Sequence, residues 1–96
     1  MKITKWKKYR NLYSKVYSIV VTDNKKWTGY HARVDSSINP ENEKLHHSKQ
    51  YYMVTIGSPN RRTLKLIGYV KGLVKAKQMA ERALKVEAKM TQQQEN

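Results

Sequence analysis

The sequence predicts an α+β fold, a single small domain whose antiparallel sheet of three to four strands packs on one C-terminal α-helix. Three observations predict it. Runs rich in Val, Ile and Tyr recur at 14–23, 27–36, 50–57 and 62–70, separated by turn-forming or polar stretches. From about Gly72 the apolar period changes from that of a strand to that of a helix. The chain has 96 residues, enough for one small core and too few for two.

Residues 1–11 read as a basic arm of irregular structure. Trp6, Tyr9, Tyr13 and Tyr17 are spaced as on a helix, so a short helix there is the alternative, but the density of β-formers from Tyr13 to Val21 favours an arm leading into a strand. SKVYSIVVTD ends at the turn-like Asp23-Asn24, and WTGYHARVDS follows across Lys25-Lys26, which makes a hairpin. Residues 35–49 are polar, contain Pro40 and read as a long exposed loop. QYYMVTIG and RTLKLIGYV form a second hairpin around SPNR, with Pro59 at the first central turn position. Leu73, Ala76, Ala80, Ala83 and Leu84 share one helical face, with Met79, Val86 and Met90 beside it, and the helix runs to about Lys89. The expected organisation is a basic arm over 1–11, a sheet-plus-helix domain over 12–90 and a disordered polar tail over 91–96.

Alternation along the strands divides the sheet into two faces. Tyr30, Ala32, Val34, Tyr52, Val54, Ile56, Leu64, Leu66 and Val70 are the more aliphatic set and belong against the helix, which its small alanines let approach closely. The opposite face carries Trp27, His31, Arg33, Tyr51, Lys65 and Tyr69, rings and cations side by side. Folding of residues 1–13 back over that face is the alternative to leaving it open.

Charge points to the class of partner. Twenty Lys and Arg against seven Asp and Glu give a net +13, far beyond what solubility needs. The excess is uneven, with no acid in residues 1–15 or 44–77. Self-repulsion on this scale opposes folding unless a polyanion binds. Candidate phosphate-binding cations are Lys5, Lys7, Lys8 and Arg10 in the arm, and Arg61, Arg62, Lys65, Lys71 and Lys75 in the second cluster. Lys71 and Lys75 flank a helix start without acidic residues, where free backbone N–H groups favour an anion; lysines merely solvated on a helix are the equal alternative. Trp27, His31, Arg33, Tyr51 and Tyr69 supply groups that stack or reach base edges.

Several classes find no support. There is no cysteine, hence no disulfide framework, thiolate metal site or cysteine nucleophile. His46-His47 has a poor set of companions for a metal, and the acids show no paired-carboxylate or metal spacing. A metal-free ribonuclease built on Lys, Arg, His and Tyr has nothing but charge in its favour. No cofactor, metal or small-molecule substrate is expected. MKITKWKK is basic but is followed by no apolar run of seven or more, and no stretch has the ~18 apolar residues of a membrane span, so a cytoplasmic, nucleoid-associated location is expected.

The succession W-x-x-Y-x-A-x-V at Trp27 to Val34, a Tyr/Val/Ile strand, a strand ending in Gly68-Tyr69 and a helix with Ala76 and Ala80 resembles the three-stranded DNA-binding modules of tyrosine integrase amino-terminal arms and the plant ethylene-response-factor domain. Such a pattern is also found in small phage or mobile-element proteins. The likeness covers residues 27–84. Lys71-Gly72 stands where those modules carry a Thr cap, and the first alanine comes one residue late. The resemblance implies a sheet laid into the major groove of duplex DNA and favours DNA over RNA. The reading is thus a non-catalytic nucleic-acid-binding protein. The alternative is a small phage- or mobile-element-encoded inhibitor that docks on a host protein, such as a nucleic-acid-handling or defence enzyme, through the same ring-rich face.

Overall fold

Ring and branched side chains pack well on a pleated, half-buried surface, and the first hairpin forms where they are densest. In the computed structural model, which describes residues 1–10, 15–36 and 51–90, strand β3 (Lys15–Asp23) pairs with β4 (Lys26–Asp35). Asn24 and Lys25 join them, both left-handed at φ 51° and 67°, in the two-residue turn whose twist matches that of paired strands. The second hairpin joins β5 (Tyr51–Gly57) to β6 (Lys65–Lys71). It turns at 58–61, where the Arg61 N–H donates to the Ser58 carbonyl at 3.2 Å around Pro59. Most of the loop expected over 35–49, with His46 and His47, lies outside the described residues, as do Tyr13 and the tail at 91–96.

The expected three to four strands become six among the described residues, because residues 1–10 are not irregular. Strands β1 (Lys2–Ile3) and β2 (Lys7–Arg10) both pair along the outer edge of β3, giving a wholly antiparallel sheet in which β3, β4, β5 and β6 follow in order. Ile3 opposes Val21 and Lys7 opposes Ser18, so three residues of the first strand pair face two of β3. That is a bulge. Thr4 holds it: its N–H donates to the Val20 carbonyl at 3.0 Å, and its hydroxyl accepts from the Val20 N–H at 3.1 Å.

Helix α1 (Leu73–Glu87) crosses one face of this sheet. Ile19, Val21, Ala32, Val34, Val54 and Ile56 meet Ala76, Ala80, Leu84 and Ala88 in the core. Each large side chain so buried contributes roughly 1.5–3 kcal/mol, and the alanines bring the helix backbone close to the sheet. The helix begins at Gly72 without a side-chain cap or an acid in its first turn. It ends with Lys89 left-handed at φ 58°, the Met90 N–H donating to the Lys85 carbonyl at 2.8 Å and the Lys89 N–H to that of Val86 at 3.1 Å, the pairing that satisfies terminal carbonyls.

Several face assignments are overturned. Val54 opposes Gly68 but Thr55 opposes Leu66, so Ile67 is the extra residue of a second bulge. One added residue reverses every side chain beyond it. Leu66, expected against the helix, is therefore on the opposite face and 51% exposed, and Leu64, just before the strand, is 40% exposed. Lys65, expected on that opposite face, opposes Ile56 on the helix side instead. Val86, expected beside the apolar stripe, is 73% exposed.

Candidate nucleic-acid interface

Cross-strand partners share a face of the sheet, so the register places each candidate. Lys7 opposes Ser18, which opposes Arg33, which opposes Thr55. Val20 opposes His31, and Thr22 opposes Trp27 and Lys2. Met53 opposes Tyr69, and Tyr51 opposes Lys71. These residues lie on the face away from α1, and among the described residues no second layer covers it. The structure thus brings Lys7, Trp27, His31, Arg33, Tyr51, Tyr69 and Lys71 onto one surface.

The other candidates lie elsewhere. Lys8 alternates to the helix side, with Nζ 5.8 Å from the Tyr17 ring centroid, and Arg10 shares that parity. Lys5 is exposed within the first bulge, and Arg62 is exposed in the β5–β6 connection. Arg61 Nη2 lies 3.2 Å from Glu87 Oε1 and Lys65 Nζ 4.0 Å from Glu87 Oε2, an ion-pair group at the helix C-terminal half. Lys75 is exposed on α1. The second basic cluster is therefore divided between two sides of the molecule.

On the open face, β2, β3 and β4 enclose a shallow depression of about 450 Å³. Val16, Ser18 and Val20 of β3 form its floor, and Tyr9 of β2 and Trp27, His31 and Arg33 of β4 stand around it. Trp27 is 62% exposed and Tyr9 55%. The Trp27 indole is nevertheless oriented: its Nε1–H donates to the Tyr30 carbonyl at 3.2 Å, and its ring meets His31 with centroids 6.0 Å apart at 58°. His31 lies directly over Gly57, where any Cβ would collide with the imidazole. Its Nδ1 is buried without a hydrogen-bond partner among the described residues. The backbone around Trp27 is shaped by Gly29, left-handed at φ 96°, whose missing side chain leaves room for Pro59. Arg33 Nη2 is 3.8 Å from Asp35 Oδ2, a loose pair on the same face.

A second group of rings and cations lies on the helix side. The Trp6 Nε1–H donates to Glu81 Oε1 at 2.8 Å, and Lys77 Nζ lies 5.4 Å from the Trp6 ring centroid and 4.8 Å from that of Tyr17. Nearby Tyr52 has its phenol pushed above its ordinary pKa, first by burial and then by Tyr17. Two of the four described carboxylates, Glu81 and Glu87, are thus engaged on the helix side, and Asp35 is the described carboxylate of the open face.

Sequence reasoning missed Tyr9 and the floor of the depression. Tyr9 belongs to the ring- and cation-rich opening, but its face depends on β2 pairing with β3. Among the described residues no cluster of three His, Cys, Asp or Glu side chains is placed to hold a metal, and no helix is long and apolar enough to cross a membrane. Comparison of the chain with protein-family models, with curated proteins and with solved structures finds no match.

Proposed function

We propose that the protein binds nucleic acid without catalysing a reaction, through the open sheet face and the basic residues that border it. One observation carries the reading: Lys7, Trp27, His31, Arg33, Tyr51, Tyr69 and Lys71, scattered over 65 residues of sequence, share one sheet face that no second layer covers among the described residues, in a chain with net charge +13. Cations position phosphates, whereas rings and Arg contact bases. Duplex DNA is the favoured form, on the resemblance to integrase-arm modules, and a nucleoid-associated location follows from it. The basic first strands contribute phosphate contacts as part of the sheet rather than as a mobile arm.

The test is fluorescence anisotropy of labelled random-sequence duplex DNA, and of RNA of equal length, over a range of salt. Lys2, Lys7, Arg33 and Lys71 share the open face. Three to four phosphate contacts give a slope of log K against log salt of about −2.7 to −3.6, at ~0.9 per contact on B-DNA. Tighter binding of RNA would replace DNA as the ligand. Absence of salt-dependent binding would assign the face to the second reading, a phage- or mobile-element-encoded inhibitor docking on a host protein, which the apolar floor of the depression favours.

A further inference from the structure

The depression between β2 and β4 is concave, and that restricts what fills it. The major groove of a duplex is itself a cleft, in which paired bases show their edges while their flat faces remain stacked on neighbours. A recessed floor of Val16, Ser18 and Val20 is out of reach of such edges. It fits a flat group projecting from the ligand. Strands lie ~4.8 Å apart, so Tyr9 on β2 and His31 and Arg33 on β4 rise from backbones about 10 Å apart across the lower side chains of β3. Trp27 closes one end, held by its bond to the Tyr30 carbonyl. Lys7 and Arg33 oppose Ser18 from either side, so cations flank the floor. Rings around an apolar floor with cations at the margin complement an unpaired base and its phosphates.

We infer that this depression accepts one unpaired nucleobase of a nucleic-acid strand, with Tyr9 and Trp27 contacting the ring and Lys7 and Arg33 the adjoining phosphates. The inference rests on the nucleic-acid reading and sharpens its ligand to duplex DNA carrying an unpaired base. Extruding a paired base opposes binding, so a base already unpaired is preferred.

Affinities of the full chain for a perfect duplex and for the same duplex with one extrahelical thymine measure the effect directly. The bulged duplex is expected to bind about tenfold more tightly. Trp27→Ala and Tyr9→Ala are expected to weaken the bulged duplex about tenfold more than the perfect one, so that the preference is lost, while the salt slope, which counts phosphates, stays the same; Trp27→Phe, which keeps a ring, retains most of the preference. Gly57→Ala, which displaces His31, reduces the preference without removing a ring or a charge. Unchanged thermal midpoints in the Tyr9 and Trp27 variants separate these losses from unfolding. Equal affinity for the two duplexes overturns the inference and leaves nucleic-acid binding standing, whereas no salt-dependent binding of either overturns both.

Discussion

The two tryptophans sit in similar company and do different work. Trp6 lies half-buried on the helix side, donating to Glu81 with Lys77 against its ring. Trp27 lies on the opposite face, mostly exposed, donating to a backbone carbonyl beside His31. The first indole ties the amino-terminal strands to α1 across 75 residues of sequence; the second is tied only to its own strand. Composition alone does not distinguish a ring that closes a structure from one left available. What distinguishes them is whether the indole N–H and ring are used by a distant element of the same chain.

The largest expected effects concern the closed side. Ala80→Asp places an unpaired charge in the core between α1 and the sheet and should destabilise by several kcal/mol in denaturant unfolding. A neutral result would show that α1 does not pack as described. Deletion of residues 1–10 strips β1, β2 and Trp6 from the sheet and should lower stability by at least ~2 kcal/mol, as expected for removing buried apolar groups. An unaffected midpoint would return this segment to the status of an arm.

The tryptophan comparison is broken most directly by parallel substitutions. Trp6→Ala should destabilise by roughly 2–3 kcal/mol, near the low end for ring-to-Ala changes because the ring is only part-buried. Trp27→Ala should change stability by less than about 1 kcal/mol, as expected for an exposed residue. Should Trp27→Ala prove the more damaging to stability, the open face is part of the core and the proposed interface fails.

Charge provides the next comparison. Lys7→Ala with Lys71→Ala, both on the open face, should reduce the magnitude of the salt slope by about 1 to 2. Arg61→Ala with Arg62→Ala should change it by less than 1, since Arg61 is engaged with Glu87. Equal losses would mean that the ligand wraps both sides of the molecule.

The smallest effects are local. Lys25 and Lys89 occupy left-handed positions that glycine adopts without steric penalty. Lys25→Gly and Lys89→Gly should each stabilise by up to ~1 kcal/mol, offset in part by the greater freedom of glycine in the unfolded chain. Tyr52 adds a pH dependence. Its raised pKa favours the protonated phenol in the folded state, so its contribution is full below the ordinary value of 10.0 and is lost as pH rises beyond it. Alkaline melts of Tyr52→Phe should accordingly show a shallower decline above pH 10.0 than the parent.

Much of the chain was legible because it depends on nearest neighbours. Asn24 next to the strand end, Pro59 in SPNR and the change of period after Gly72 each act within a few residues, and both hairpins and the helix fall where these signals place them. The net charge is likewise a property of composition. The candidate face was legible only up to the bulges. Trp27, His31, Arg33, Tyr51 and Tyr69 share a face as alternation predicts, but Lys65 and Leu66 exchange sides because Ile67 is extra between paired strands. A bulge is a relation between two strands, and a period-two pattern read along one of them carries no record of it.

The amino-terminal strands depend on tertiary structure even more strongly. KKYR is a poor strand by propensity, and β2 exists because β3 offers it an unpaired edge. By itself, then, the sequence determined which local elements form, their order and the sign of the surface charge, since propensity, turn chemistry and titration are local. Only the tertiary structure decided which cations face the open sheet, which neutralise Glu87, and that Tyr9 joins Trp27 around one depression. Those outcomes follow from register and from competition between distant partners, and pairing settles them only when the whole sheet assembles.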